Sequence, residues 1–269
     1  MAKSVAAKYQ EIAGIDMICV GGSTAIGNAY SKSDVDMWAT YSQLPSSTER
    51  QNIVHKLIEE YGNEPQPRYA TEGRGDSLRI DGIDVHIILG HNDEFLQLPK
   101  NREEVMGTPY EVGIADFFDS VVLYDSKGIW KQVETELEDY PVNIGIRIIG
   151  ENLDKIITVL QDDMQKAIMT QSSFLVLEVQ GPSLERFLRI LFALNKRYYR
   201  RLRDISAVIS GLKILPRDCE LRLKAYAKEK FPSEMHIILF GLVNDTLPLI
   251  KESYPEIAID EVSRQLERR

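Results

Sequence analysis

Apolar and polar positions change rhythm along the chain, and the change divides it in two. Residues 2–13 read as a helix. Ile15–Val20 is a short apolar run that stops at Gly21-Gly22, as a strand meeting a turn does. Asp34–Tyr41 reads as a second strand. Residues 46–61 then take up a helical period, with Ile53, Leu57, Ile58 and Tyr61 on one face. Ser46-Ser47-Thr48-Glu49 supplies the cap at the start of that helix, and Gly62 its stop. Arg68–Ala70 and Ser77–Ile80 look like strands, and Asp81-Gly82 is a hairpin turn leading into the strand Ile83–Leu89. Phe117–Tyr124 reads as a helix end followed by a short strand.

Beyond Tyr140-Pro141 the alternation ends. Residues 144–170, 182–203, 217–230, 233–251 and 256–268 all carry helical periodicity, with Pro182, Pro216, Pro232 and Pro255 near their starts. The expected architecture is α+β: a mixed sheet with flanking helices over residues 1–140, then an all-helical domain over 141–269.

Composition narrows the class. The chain has 269 residues, 43% hydrophobic and 27% charged, ordinary for a globular protein with a real core. No apolar run approaches a membrane span, and the start shows no secretion signal. Cys19 and Cys219 lie far apart and read as buried thiols rather than a disulfide, which points to the cytoplasm. No Cys/His cluster has zinc spacing. The formal net charge of -9 argues against nucleic acid as a partner, since such binding rests on neutralising phosphates.

Two stretches carry chemistry: Gly21-Gly22-Ser23, followed by Asp34-Val35-Asp36-Met37, and Gly82-Ile83-Asp84-Val85-His86. On a strand, Asp34 and Asp36 project to one face and repel unless a cation stands between them. Asp84 interrupts an apolar run, and an unpaired carboxylate buried there is costly, so it needs a partner or a metal. Three carboxylates on neighbouring strands suit magnesium or manganese. The glycines let backbone N–H groups approach an anion, and the Ser23 hydroxyl can donate to a phosphate oxygen. Each element alone is ordinary; strand, Gly-Gly-Ser, spacer, Asp-Val-Asp and a later strand Asp together are specific.

That combination resembles the DNA polymerase β-like nucleotidyltransferase superfamily over the first 90 or so residues, with Gly22-Ser23, Asp34-Val35-Asp36-Met37 and Asp84 at the matching positions. The resemblance implies a nucleotidyltransferase. Two Mg²⁺ ions (or Mn²⁺) would be held by Asp34, Asp36 and Asp84, and the phosphates of ATP or another nucleoside triphosphate by Gly22 and Ser23. Asp84 would serve the acceptor side. Leu194-Asn195-Lys196-Arg197-Tyr198-Tyr199 further resembles a helical motif of DUF4037-type nucleotidyltransferases, with Lys196 in the place of an arginine. By that resemblance Lys196 touches phosphate and Tyr199 the nucleotide. Arg186, Arg189, Lys196, Arg200 and Arg203 also fall on one stripe of a helix over 182–203, either a solvated face or a triphosphate-binding one.

The layout resembles small-molecule members, antibiotic nucleotidyltransferases among them. It implies transfer of a nucleoside monophosphate, AMP above all, to a hydroxyl of a small acceptor with release of pyrophosphate. The alternatives are a protein-modifying, antitoxin-type AMPylating enzyme and a non-catalytic nucleotide-binding regulator. Among secondary positions, His86 shares the Asp84 face, Arg79 precedes the hairpin, and Asp93 and Glu94 follow the third strand, where an acceptor base could sit. Trp38 and Trp130 read as packing residues.

Overall fold

The computed structural model describes residues 1–61, 69–72 and 74–267. Gly62 and Arg68, expected at a helix stop and a strand start, lie outside the described residues. The chain forms two compact units. The first comprises Met1–Val105 and Tyr110–Asp139; the second comprises Met106–Pro109 and Tyr140–Arg269.

The first unit runs α1 (Ala2–Tyr9), β1 (Ile15–Val20), α2 (Gly22–Ala25), β2 (Val35–Tyr41), α3 (Ser47–Tyr61), β3 (Tyr69–Glu72), β4 (Gly75–Ile80), β5 (Ile83–His91), α4 (Asn92–Gln97), α5 (Arg102–Val105), α6 (Glu111–Phe118), β6 (Val121–Asp125) and α7 (Ile129–Glu138). Among the described residues the strands make one six-stranded mixed sheet in the order β3-β4-β5-β2-β1-β6. β2 and β5 pair in parallel and the other neighbours are antiparallel.

Alternation decides what each face of the sheet meets. Ile18 and Val20 of β1, Met37 and Ala39 of β2, and Val85, Ile87 and Leu89 of β5 join Val5 and Tyr9 of α1 and Val54 and Leu57 of α3 in one core. Each fully buried side chain of this kind contributes roughly 1.5–3 kcal/mol. Within that core lies a polar knot. Arg50 of α3 donates to Asp76 of β4 at 2.9 Å, and the Tyr9 hydroxyl donates to the other oxygen of the same carboxylate at 2.9 Å. The opposite face is covered toward one end by Phe95, Ile129 and Trp130, packed on Met17 and Cys19 with Trp38 and Phe117.

Local signals explain several boundaries. Ser46 and Glu49 cap α3 reciprocally: the Glu49 N–H donates to Ser46 Oγ at 3.2 Å and the Ser46 N–H to Glu49 Oε2 at 3.0 Å. Asp81 and Gly82 both have positive φ (50° and 76°), so the two-residue turn fixes Ile80 opposite Ile83. Asp125 caps α7, accepting from the Ile129 N–H at 2.9 Å and the Trp130 N–H at 3.1 Å. At the start of β1, the buried Asp16 carboxylate accepts from the Asn92 amide at 2.8 Å and the Lys127 ammonium at 3.1 Å. Burial alone would raise its pKa; the hydrogen bonds from Asn92, Lys127 and Ser42 outweigh that and hold it below the ordinary value.

The second unit contains α8 (Val142–Thr158), which passes through a π-turn at Val159–Asp163 into α9 (Met164–Thr170). Then follow α10 (Ser173–Leu194), α11 (Ile205–Val208), α12 (Cys219–Lys228), α13 (Pro232–Ser253) and α14 (Ile259–Glu267). α10 differs from expectation at both ends. It starts at Ser173, where the Ser172 hydroxyl caps it, so Pro182 is inside the helix instead of at its start. It stops at Leu194, because Lys196 takes a left-handed conformation (φ 54°) that an α-helix cannot continue through. Cys19 and Cys219 are free and buried, and burial pushes each thiol up to about 12. Among the described residues no helix is long and apolar enough to cross a membrane.

Candidate functional site

The glycine turn and Asp36 meet at one edge of the first unit. β1 ends at Val20, and the Gly21 N–H donates to the Asp36 carbonyl at 3.0 Å, which ties the turn to the first residues of β2. Neither glycine can be replaced without displacement. A Cβ at Gly21 would lie 2.0 Å from Trp38 Cζ3. Gly22 has φ of 58°, and a Cβ there would lie 3.2 Å from Asp36 Oδ2. The turn is therefore bare backbone laid beside a carboxylate. α2 is a single turn, so little of the dipole expected at a helix start develops, and an anion here would rely on local N–H groups and the Ser23 hydroxyl.

Parity and register place the carboxylates. Val35, Met37 and Ala39 face the α1/α3 core, so Asp36 faces the other way; the same holds for Asp84 and His86 against Val85 and Ile87. In the parallel β2–β5 ladder Asp36 is opposite His86. Extending that register one residue back sets Asp34, which precedes the strand, level with Asp84. Asp36 and Asp84 thus share one face of the sheet, at the end where β2 and β5 begin, and Asp34 comes just before β2. Asp34 and Asp84 are exposed and Asp36 is half-buried. This corrects the expectation for Asp84. It does not interrupt the core, because it alternates with the core residues, and its partner is an arginine. Arg79 Nε lies 3.1 Å from Asp84 Oδ1, and Nη2 donates to Oδ2 at 3.2 Å.

His86 is also engaged, its Nδ1 lying 3.1 Å from Ser77 Oγ. Ser77 does not stand out in the sequence, although counting back from the Asp81-Gly82 turn sets it opposite His86. Asp93 and Glu94 follow the other end of β5, about 23 Å along the strand from Asp84 at ~3.3 Å per residue. Glu94 there caps α4, accepting from the His91 N–H at 3.0 Å, and pairs with Arg74, which holds its carboxyl below the ordinary value. Trp38 packs on Phe117 with ring centroids 4.8 Å apart.

The donor set fits a hard divalent cation in its chemistry: carboxylate oxygens on adjacent strands, and a glycine cradle at Asp36 that a side chain would fill. Among the described residues, however, no three His, Cys, Asp or Glu side chains close up into a metal cluster. Both Asp84 oxygens already face the Arg79 guanidinium.

Lys196 and Tyr199 belong to the second unit. Lys196 is exposed. Tyr199 is buried, edge-on to Phe192 at 5.7 Å, with the Arg189 guanidinium 4.3 Å from its ring centroid. The basic stripe anticipated over 182–203 does not form, because the helix stops before Lys196. Arg189 is buried and donates to Glu185 at 3.0 Å, and the buried Arg200 lies 3.9 Å from Asp204. Asn195 is the strut of the segment. Its amide donates to the Leu191 and Ile214 carbonyls at 2.8 Å each, and its oxygen accepts from the Lys213 and Ile214 N–H groups at 2.7 Å each.

No curated protein matches the chain. Among solved structures it is similar to a nucleotidyltransferase-like protein from Exiguobacterium sibiricum 255-15, at 10% identity and a TM-score of 0.39, over 96% of this chain and 79% of that one. A superposition that loose bears on neither reaction nor substrate. The family described as a domain of unknown function, DUF4037, matches residues 109–201, the stretch that contains Leu194–Tyr199. The DUF4037 resemblance of that motif is thereby met by the family model.

Proposed function

We propose that the chain is a metal-dependent nucleotidyltransferase that moves a nucleoside monophosphate, AMP from ATP in the first instance, to a hydroxyl of a small-molecule acceptor, releasing pyrophosphate. The observation that carries this reading is the close approach of the Gly22 position to the Asp36 carboxylate, with Asp84 on the same face of the neighbouring strand and Asp34 just before β2. Gly22 and Ser23 offer backbone N–H groups and a hydroxyl to the phosphates. Asp34, Asp36 and Asp84 would hold Mg²⁺ or Mn²⁺, which when bound neutralises phosphate charge and polarises the acceptor oxygen. The residues position the reactants; in-line phosphoryl chemistry demands little else of a protein. Lys196 and Tyr199 are assigned to phosphate and nucleotide through the DUF4037 resemblance alone, Tyr199 being buried with Phe192 and the Arg189 guanidinium against its ring.

The test is transfer of label from each α-labelled nucleoside triphosphate, with and without Mg²⁺, into a mixed pool of antibiotics, metabolites, RNA and proteins. Label on a small molecule, only with Mg²⁺, is the expected result. Asp34→Ala and Asp36→Ala are expected to abolish transfer while leaving the thermal transition within a few degrees of wild type; normal turnover in either variant would sink the assignment. One observation favours a second reading, a non-catalytic nucleotide-binding regulator: Asp84 is already paired with Arg79. Triphosphate binding with no pyrophosphate release in any pool supports that reading.

A further inference from the structure

The pairing of Asp84 raises a question that a nucleotidyltransferase function leaves open: why one of three carboxylates offered to a cation is paired with a fixed positive charge. The geometry is not accidental. The turn at Asp81-Gly82 adopts positive φ at both residues, which locks Ile80 to Ile83 and makes Arg79 the direct cross-strand neighbour of Asp84. Arg79 meets the carboxylate with one hydrogen bond, Nη2 to Oδ2 at 3.2 Å, and with Nε 3.1 Å from Oδ1, so its positive charge stands where a cation would approach. The pair is also open to water, the Asp84 side chain being 51% and that of Arg79 30% exposed. An exposed pair of this kind is weak, so a doubly charged ion can displace it.

We propose that Arg79 is the resting counter-ion of Asp84 and a positioning residue of the site: Asp84 exchanges the Arg79 guanidinium for a divalent cation, so Arg79 sets the cation affinity of the acceptor side. The proposal rests on the metal-dependent function proposed for the chain. Electrostatics gives the size of the effect. Removing one positive charge about 3 Å from a ligand carboxylate in a half-exposed setting tightens divalent cation binding about fivefold to tenfold. A pair that merely braced the hairpin would change unfolding and leave cation binding alone.

The probe is Mn²⁺ itself, titrated into the full chain and followed by the electron paramagnetic resonance signal of the free ion. Arg79→Gln is expected to bind Mn²⁺ about fivefold more tightly than wild type. Arg79→Lys, which keeps the charge and loses the guanidinium geometry, is expected to fall between the two. In an Asp84→Asn background, Arg79→Gln is expected to make no difference. If Asp36→Asn abolishes Mn²⁺ binding while both Arg79 variants bind as wild type does, the counter-ion role is refuted and the metal site stands. If neither wild type nor any variant binds Mn²⁺, the metal-dependent function and the counter-ion role fall together. Should Arg79→Gln fail to fold, Arg79→Lys decides alone: tighter Mn²⁺ binding than wild type supports the counter-ion role, and unchanged binding refutes it.

Discussion

Replacing Gly22 with alanine separates strain from function at the glycine turn. Two costs follow from the structure. Gly22 sits at φ of 58°, where an L-residue with a Cβ loses roughly 1–2 kcal/mol. The new methyl also lies 3.2 Å from Asp36 Oδ2, so the carboxylate must shift by a few tenths of an ångström. Alanine restricts the unfolded chain as well, which offsets part of the first cost, leaving a net destabilisation of about 1 kcal/mol. With a urea m-value of about 2 kcal/mol/M this moves the midpoint by about 0.5 M. Gly128 provides the control. Its φ is 67°, but a Cβ there meets nothing within 4 Å. Both tryptophans, Trp38 and Trp130, belong to the first unit, so intrinsic fluorescence reads the unfolding of that unit. Gly128→Ala, which carries the φ cost alone, is expected to lower the midpoint by no more than Gly22→Ala does. Only Gly22→Ala is expected to lose about tenfold in nucleotidyl transfer, since small displacements of reacting groups are expensive. If the two variants transfer equally well, the turn is not a cradle and the reasoning fails.

Further predictions concern stability. Arg50→Met removes one partner of a buried pair and is expected to cost about 3–5 kcal/mol, whereas Arg50→Met with Asp76→Leu costs less than the sum of the single changes; a urea double-mutant cycle measures this, and a single-variant loss under about 1 kcal/mol counts against it. Asp16 has its folded pKa lowered, so its contribution is fully present above its unfolded pKa and is lost as pH falls through the lower folded value. Asp16→Asn is expected to be less stable than wild type at pH 7 and to lose that disadvantage on acidification below the ordinary value of 3.8; an unchanged gap across that window refutes the linkage.

Much of the sheet is readable from sequence because its signals are local. Asp81-Gly82 demands positive φ and announces a hairpin, and from it the opposition of Arg79 to Asp84 and of Ser77 to His86 follows by counting. The side of β2 on which Asp36 falls is equally local, since alternation sets it against Val35 and Met37. That β5 runs parallel beside β2 is not, since it depends on packing between segments far apart in sequence. Asp84 misleads for a related reason. Its apolar neighbours look like a continuous buried run, but two-residue alternation puts them on one face and Asp84 on the other. α10 shows the opposite failure. Apolar spacing continues through Tyr198 and Leu202, so the pattern runs past the true stop, where Lys196 turns left-handed and the Asn195 side chain grips Lys213 and Ile214. Pro182 looks like a start because nothing local reveals that Ser172 caps the helix well upstream of it.

The excursion of Met106–Pro109 has a consequence for how the chain is made. These residues cluster with the second unit although they are flanked on both sides by the first. Met106 is 1% exposed, a Cβ at Gly107 would touch Ile148, and Arg189 donates to the Thr108 carbonyl at 3.5 Å. During synthesis this peptide leaves the ribosome before Tyr140, so a piece of the second unit exists before the rest of it does. A gene cut at residue 140 therefore yields a downstream product missing part of its own core, and an upstream product carrying a segment whose partners were left behind. The two units are separable as clusters of contacts, but not as consecutive lengths of message.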